Sequence, residues 1–566
     1  MAAPPPSRGP WPRVTRGPAP SHASLYDPRG PPQTLGQQVM AQADYLNNVY
    51  RTTQKFQLQR EEQIAKETFR KHLQGMFQTL LQSHYSSFDV KDVRLQCYGS
   101  LNNGFGLANC DMDLLLLLPA NLDFINRVNE ATNSTTEAAE DDRKFEVALL
   151  LEKALLDSGI GARLLTKTRV PILRVCEKPS ETLLENLRQY CKQSEEAATP
   201  TPVRPTKDDM PAPPEMTLSD ITTAISELST EDDAASIRLP DSPTKNKQLA
   251  IEFVGDCGIQ CDINFTNFVA VHNTRLLRTY CTYDSRVAQV GTFVKLWAKT
   301  RDINTPYLGT LSSYGYTLMV LHYLMNVVDP PVIPNLQQLA YSADSWATKP
   351  VQKFEDKFDI RFLSNMEQLQ KFKAMQRVNR QSTGHLLRGF FWYYSAQQGF
   401  HWTQSVISIR TPRGIMTKAV KGWTEAKWSA QNKNVRQRYL LAIEDPFEVD
   451  HNVGRVVGHN GIVAIRGEFR RAWHIISTVG DPYAPRGGPI EDLLQPAEAR
   501  GDLLRKDQDF HRDKMRKMKQ EAEARQKQAL QDSVSTTTPE QPIDQGQLLL
   551  NAVMGYPTGT TNGMSN

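Results

Sequence analysis

The sequence predicts an α+β protein with two cored domains, one built around strands and one mostly helical. Three observations carry this. Strand-like apolar runs cluster between residues 90 and 265. The pattern after Asn273 is helical, with loops between the helices. Three stretches, 1–36, 178–248 and 491–566, hold too much proline and polar residue to form a core. Setting these aside leaves roughly 380 residues, enough for two domains with separate cores. The expected division is a disordered proline-rich tail over 1–36 and a strand-bearing domain with leading helices over 37–268. A helical domain follows over 269–490, then a charged helix and disordered tail over 491–566.

The elements are read in chain order. Met40, Tyr45, Val49 and Phe56, then Ile64, Phe69, Leu73, Phe77 and Leu81, recur at helical spacing. Val90–Tyr98 reads as a strand closed by Gly99-Ser100, and Asp111–Leu118 as a second strand with an apolar tail. Phe145–Ser158 reads as a helix, and Arg163–Val175, which contains Pro171, as an edge-type strand. Residues 178–248 turn to Glu, Thr, Ser, Pro and Asp, with only Leu218–Leu228 able to form a short helix. A structureless run of this length reads as a disordered insertion between two strands, tolerated because loop-closure cost grows only logarithmically. Leu249–Val254 and Ile259–Phe265 flank a Gly-Asp-Cys-Gly turn and read as a hairpin. Ser405–Arg410 and Ile462–Arg466 look strand-like, Gly467–Ser477 helical, and residues 503–530 a solvated charged helix.

Composition excludes several classes. The 66 Lys and Arg against 62 Asp and Glu give a net charge of +4, so any basic surface must be local. The longest apolar runs, Leu114–Leu118 and Leu318–Met325, fall well short of the roughly 20 residues of a membrane helix. No membrane partner is expected. The seven cysteines are scattered and contain no Cys-x-x-Cys pair, which argues against zinc and suits a reducing compartment. The cytoplasm is the expected location, with the nucleus second. Arg8, Arg13 and Arg16 stand in an N-terminus with no early acid, whose prolines forbid an amphipathic transit helix.

The chemistry-bearing signal is Gly99-Ser100 followed by Asp111-Met112-Asp113. In a strand, residues two apart share a face, so the two carboxylates point one way with Cα atoms about 6.7 Å apart. Asp262, on the second arm of the expected hairpin, can complete the set from a neighbouring strand. Three converging carboxylates repel unless cations neutralise them, and Mg²⁺, a hard ion shared with phosphates, suits them. Backbone N–H groups of the glycine-serine turn, with the Ser100 hydroxyl, can hold a triphosphate. Lys295 and Lys299 lie one helical turn apart on one face.

These residues resemble a known family. Tyr98–Leu117 (YGSLNNGFGLANCDMDLLLL) resembles the active-site motif of the DNA-polymerase-β-like nucleotidyltransferases. Three further runs narrow the resemblance: Cys261–Thr274 (CDINFTNFVAVHNT), Val294–Tyr316 (VKLWAKTRDINTPYLGTLSSYGY) and Ala442–Val457 (AIEDPFEVDHNVGRVV). Together they resemble the non-canonical poly(A) and terminal uridylyl RNA polymerases of the fungal caffeine-induced-death type. The resemblance covers roughly residues 40–480 apart from the insertion. It implies a polymerase-β-like nucleotidyltransferase palm joined to a mostly helical central, poly(A)-polymerase-associated domain.

The resemblance also implies roles, position by position. Asp111, Asp113 and Asp262 match the catalytic metal triad, with Mg²⁺ or, as an alternative, Mn²⁺. Gly99 and Ser100 match the phosphate-binding turn, and Lys295 and Lys299 the triphosphate lysines. Asn273 and Thr274 match the pair near the ribose hydroxyl. Ser313 matches a phosphate-contacting serine and Tyr314 the tyrosine that stacks on the base. Asp445, Glu448 and His451 match positions facing the base edge, where a histidine goes with preference for UTP over ATP. The implied partners are an RNA 3′ end and UTP or ATP, and the sequence names no protein partner. RNA would lie in the cleft and on basic patches such as Arg275–Arg278 and Arg466–Arg471. The rival readings are an ATP-using poly(A) polymerase and a catalytically silent RNA-binding scaffold.

Overall fold

The computed structural model describes residues 35–497 with breaks, the longest at 125–136, 199–250, 343–352 and 482–491. The expected N-terminal tail up to residue 34, the short helix at Leu218–Leu228 and the charged helix at 503–530 lie outside the described residues.

Helix α1 (Leu35–Thr53) buries Ala43, Leu46 and Tyr50 along one stripe. That stripe does not cover the strands. Leu46 and Tyr50 join the core of the helical domain, and α1 lies along the helix Thr383–Ser395. Gly384 allows the approach, since a Cβ there would overlap the Ala43 carbonyl oxygen. Arg388 donates to Gln42 at 2.6 Å and the Gly384 N–H to Asn47 at 2.7 Å. Residues 37–53 therefore leave the strand-bearing domain to which their position in the sequence had assigned them. The described chain passes from the helical domain to the palm and back.

Helix α2 (Arg60–His84) opens with Glu61 and Glu62 in its first turn, which suits the positive end of the helix. It buries Phe69, Leu73, Phe77 and Leu81 along one face. Then come β1 (Tyr85–Ser86), β2 (Arg94–Tyr98), the single turn α3 (Ser100–Asn103), β3 (Met112–Leu117) and β4 (Asp123–Phe124). They are followed by α4 (Glu137–Asp157), β5 (Gly161–Leu165), β6 (Ile172–Cys176), α5 (Glu181–Ala198) and β7 (Gln260–Asn264). β1 and β4 form a small antiparallel pair. The other strands form one sheet in the order β2-β3-β7-β6-β5, in which only β3 and β7 are parallel. Alternation turns Met112, Leu114 and Leu116 into the core shared with α2 and α4, and leaves Asp113 on the opposite face.

Several expectations change here. The first strand is shorter, because Val90–Asp92 forms a 3-10 turn before β2. Arg163–Val175 is two strands, and β6 is interior, with Pro171 just outside its ladder. The expected hairpin before Phe265 does not form. Of its first arm, Leu249–Val254, only 251–253 are described and are not strand, the rest lying outside the described residues, and β3 and β6 take both edges of β7. The insertion begins later than 178, because Leu183, Leu187 and Cys191 make α5 amphipathic and bury it against the palm.

The helical domain consists of α6 (Phe268–Tyr283), α7 (Ser285–Thr300), α8 (Ser313–Asn326), α9 (Leu336–Ser342) and α10 (Met366–Met375). It continues through α11 (Thr383–Ser395), the short α12 (Lys418–Lys421) and α13 (His459–Thr478). α8 is buried at every position from Gly315 to Met325, which accounts for the apolar run in the sequence. No described helix is long and apolar enough to cross a membrane. Ser405–Val406 is a short strand, as expected, but Ile462–Arg466 lies inside α13. Its Ile462 and Ile465 continue through Phe469, Ala472 and Ile476 at helical period, and that longer stripe decides the conformation. A buried ion pair, Arg301 to Glu468 at 2.8 Å, ties the end of α7 to α13. The domain also reaches past 490: Leu493 is fully buried in its core, and the Ala497 N–H donates to Thr300.

Candidate active site

A cleft of about 880 Å³ lies between the palm sheet and the helical domain. Of the candidate catalytic and nucleotide-binding residues, all except Asp262 line it. The turn after β2 brings Gly99 into the left-handed region at φ 71°. A Cβ at Gly99 would overlap Asp113 Oδ2, so this position admits only glycine. Ser100 follows at the start of α3 and faces the same cleft. Thr274 on α6 accepts the Gly99 N–H at 2.9 Å and donates to Ala270 at 2.8 Å. Its hydroxyl thus ties the turn to α6, beside Asn273 in the cleft wall.

Strand register sets the carboxylates. Across the sheet one row runs Tyr98, Asp113, Asp262, Arg174, Arg163. Burial pushes Asp113 up to about 7, helped by the charges of Asp262 and Asp111 and opposed by Lys295. Burial also raises Asp262, against the pull of Arg174, whose Nε lies 3.3 Å from Asp262 Oδ1. The three aspartates feel one another's charge. Among the described residues, however, no three acidic, His or Cys side chains are gathered closely enough to hold an ion. Uncompensated carboxylates repel, and Arg174 occupies one oxygen of Asp262. The donor set itself fits a hard divalent cation: three carboxylates, two of them raised by burial, with charge to be neutralised.

The loop before Asp111 is braced from behind by α2. Lys66, buried, donates to the Cys110 carbonyl and pairs with Glu62, whose carboxylate accepts the Asn109 N–H at 3.0 Å. Lys295 reaches the same loop, donating to the Phe105 carbonyl at 2.6 Å. Burial pulls its ammonium down to about 8, with Cys110 and Asp113 resisting. Lys295 is therefore a strut of the cleft wall as well as a cation in it. Lys299, one turn on, also lines the cleft.

On the opposite wall Asp445 is the hub. Its Oδ1 accepts the N–H groups of Phe447 and Glu448, both at 2.9 Å. Its Oδ2 accepts the Tyr314 hydroxyl at 3.0 Å and Asn273 Nδ2 at 3.4 Å. A carboxylate so occupied fixes the orientation of Tyr314 and Asn273. Burial raises it, and the backbone donors resist that rise. His451 closes the same loop, its N–H donating to the Glu448 carbonyl at 2.8 Å, and its ring lies 3.4 Å from Arg455. Ser313 accepts from Asn304 at 2.8 Å. Asn273 Oδ1 is buried without a hydrogen-bond partner. The two basic patches lie on α6 and α13, where Arg278 donates to the Asn102 carbonyl at 3.4 Å and Arg471 to that of Asp492 at 3.0 Å. Sequence reasoning missed Asn304 and Arg174. Arg174 had a visible signal, a charge inside an apolar strand run.

Comparison with known proteins places this geometry. Residues 382–451 match the family described as "Cid1 family poly A polymerase", and residues 46–185 the "Poly(A) RNA polymerase, mitochondrial-like, central palm domain". The terminal uridylyltransferase cid1 of Schizosaccharomyces pombe is 32% identical over 408 residues, which are 72% of this chain and 73% of that protein. The chain belongs to the Cid1 family. The fold agrees: a structure of Cid1 described by its RNA terminal uridylyl transferase activity superposes with a TM-score of 0.54 at 27% identity. That match covers 81% of this chain and 99% of the other. Cid1 has also been solved with the UTP analogue UMPNPP and with MgGTP. Within the family's wider circle, the poly(A) RNA polymerase GLD2-A of Xenopus laevis is 31% identical over 229 residues, covering 40% of this chain and 39% of that one.

Proposed function

We propose that this chain adds ribonucleotides to RNA 3′ ends without a template, and that UTP is preferred to ATP. The cleft carries this reading, with carboxylates on its sheet wall and Tyr314, Asn273 and His451 on the helical wall. Asp111, Asp113 and Asp262 would hold the divalent cation, Mg²⁺ before Mn²⁺. When bound, such ions neutralise the triphosphate and make the RNA 3′ hydroxyl a better nucleophile.

The chain's own groups do the rest. The turn at Gly99 and Ser100 faces the triphosphate, with Lys299 as a further cation of the cleft. Tyr314, its hydroxyl fixed by Asp445, offers a ring whose stacking on a base is worth about 1–3 kcal/mol. Asn273 Oδ1, buried and without a partner, is available to a ribose hydroxyl, which favours ribonucleotides. His451 provides a ring nitrogen for the uracil edge and takes space that a purine needs. The poly(A) polymerases among the relatives make ATP the second reading. A silent scaffold is disfavoured because Asp111, Asp113 and Asp262 are all present.

Incorporation of each of the four ribonucleotides into a short RNA, by wild type and His451→Asn, tests the proposal. Wild type should use UTP best, and the substitution should move preference towards ATP. Best use of ATP by wild type, unchanged in the variant, would remove the base assignment.

A further inference from the structure

The row of side chains across the sheet has an unequal distribution of charge. Asp113 and Asp262 stand side by side, and Arg174 and Arg163 follow on β6 and β5. Glu252, in the segment that leads into β7, closes the far end. It lies 3.0 Å from Arg163 and 3.6 Å from Arg174. Arg163 also donates to the Ile251 carbonyl at 3.4 Å, and Arg174 lies over the Phe253 ring at 5.7 Å. Residues 251–253 thus fold back onto both arginines.

One guanidinium therefore serves two acids from different edges: Nε towards Asp262 and Nη1 towards Glu252. Arginine does not release its proton in a protein, so it can leave one carboxylate only by being kept by another. We propose that Arg174 is a positioning residue for Asp262, shared with Glu252, and that this sharing sets how readily the aspartates take a divalent cation. The inference rests on the divalent site proposed above. While Asp262 holds no cation, Arg174 supplies its counter-charge. When Asp262 turns to a cation, Glu252 retains the guanidinium and spares the sheet an unpaired charge. The segment that carries Glu252 so gains a direct electrostatic link to the reaction centre, although its side chain lines no part of the cleft.

Mn²⁺ binding to the full chain, read from the free-ion electron paramagnetic resonance signal without nucleotide or RNA, tests this. Wild type should bind Mn²⁺, and Asp111→Ala with Asp113→Ala should abolish it. Arg174→Ala removes a competing positive charge and should tighten binding about five-fold. Glu252→Gln leaves Arg174 wholly to Asp262 and should weaken binding by a similar factor. Arg174→Lys keeps the charge and should return affinity towards wild type, which a merely structural role would not require. Should Arg174→Ala fail to fold, Glu252→Gln and Arg174→Lys carry the test. Aspartate-dependent binding that Arg174→Ala and Glu252→Gln leave unmoved, or move in one direction together, overturns the inference and leaves the divalent site standing. Absence of aspartate-dependent binding in wild type overturns the divalent site and the inference with it.

Discussion

On the sheet wall of the cleft Asp113 lies beside Asp262 in strand register, pushed up to about 7 by burial and by its acidic neighbours. On the helical wall Asp445, also buried, accepts bonds from Tyr314, Asn273 and two backbone N–H groups. The first acid is left in want of positive charge, and the second is satisfied by fixed dipoles. The difference separates two tasks. Under the proposed function, the wall that gathers a cation keeps its carboxylates under-compensated, whereas the wall that holds base and ribose keeps its side chains pinned.

The largest effect expected from breaking this contrast is on the sheet wall. Asp111→Ala with Asp113→Ala should lower nucleotide incorporation by about 10³-fold or more. Its melting temperature without divalent cation should not fall, because mutual repulsion among the acids is relieved. Retained incorporation, measured with labelled UTP, would refute the assignment. Next, Gly99→Ala forces a Cβ onto Asp113 at a left-handed position, at a cost of about 1–3 kcal/mol. Calorimetry should show a lower melting temperature together with reduced incorporation.

A smaller effect falls on the helical wall. Tyr314→Phe keeps the stacking ring but removes the donor to Asp445, and should raise the nucleotide KM about five-fold with little change in kcat. A loss confined to kcat would argue that the hydroxyl takes part in the chemistry instead.

The sheet wall also carries a pH linkage. The Asp113 carboxyl is raised from 3.8 to about 7 on folding, so the fold binds its proton more tightly than the unfolded chain does. Its contribution to stability is fully present below the ordinary carboxylate range and is lost as pH rises through about 7. Stabilisation by added Mg²⁺ should run the other way, growing towards the upper end of that interval. Melting curves with and without Mg²⁺ from about pH 5.5 to about pH 8 would show it. A cation effect flat across that window would count against Asp113 as a ligand.

Much of this site was legible in the residues alone. Asp111 and Asp113 announce themselves because two acids run directly into an apolar strand, and the motifs from Cys261 to Val457 name the opposite wall. What escaped depended on long-range placement. That residues 251–253 are not a partner strand of β7 is decided by β3 and β6 having taken both of its edges. Whether Ile462–Arg466 is strand or helix is decided by apolar residues further along α13. The hydrogen bonds of Thr274 to Gly99 and of Asp445 to Tyr314 join partners that only the fold brings near.

Helix α1 has a consequence for how the protein is made. Asn47 meets its partner Gly384 only 337 residues later in the chain. At about 5–20 residues per second, synthesis leaves α1 waiting on the order of tens of seconds. During that time the palm can fold around α2, while Leu46 and Tyr50 remain uncovered. Completion of the cleft therefore follows emergence of α11 and α13, and α1, translated well before them, is among the last to dock. The newborn chain passes through a stage with a finished sheet and an orphaned apolar stripe, a natural point for a chaperone to intervene.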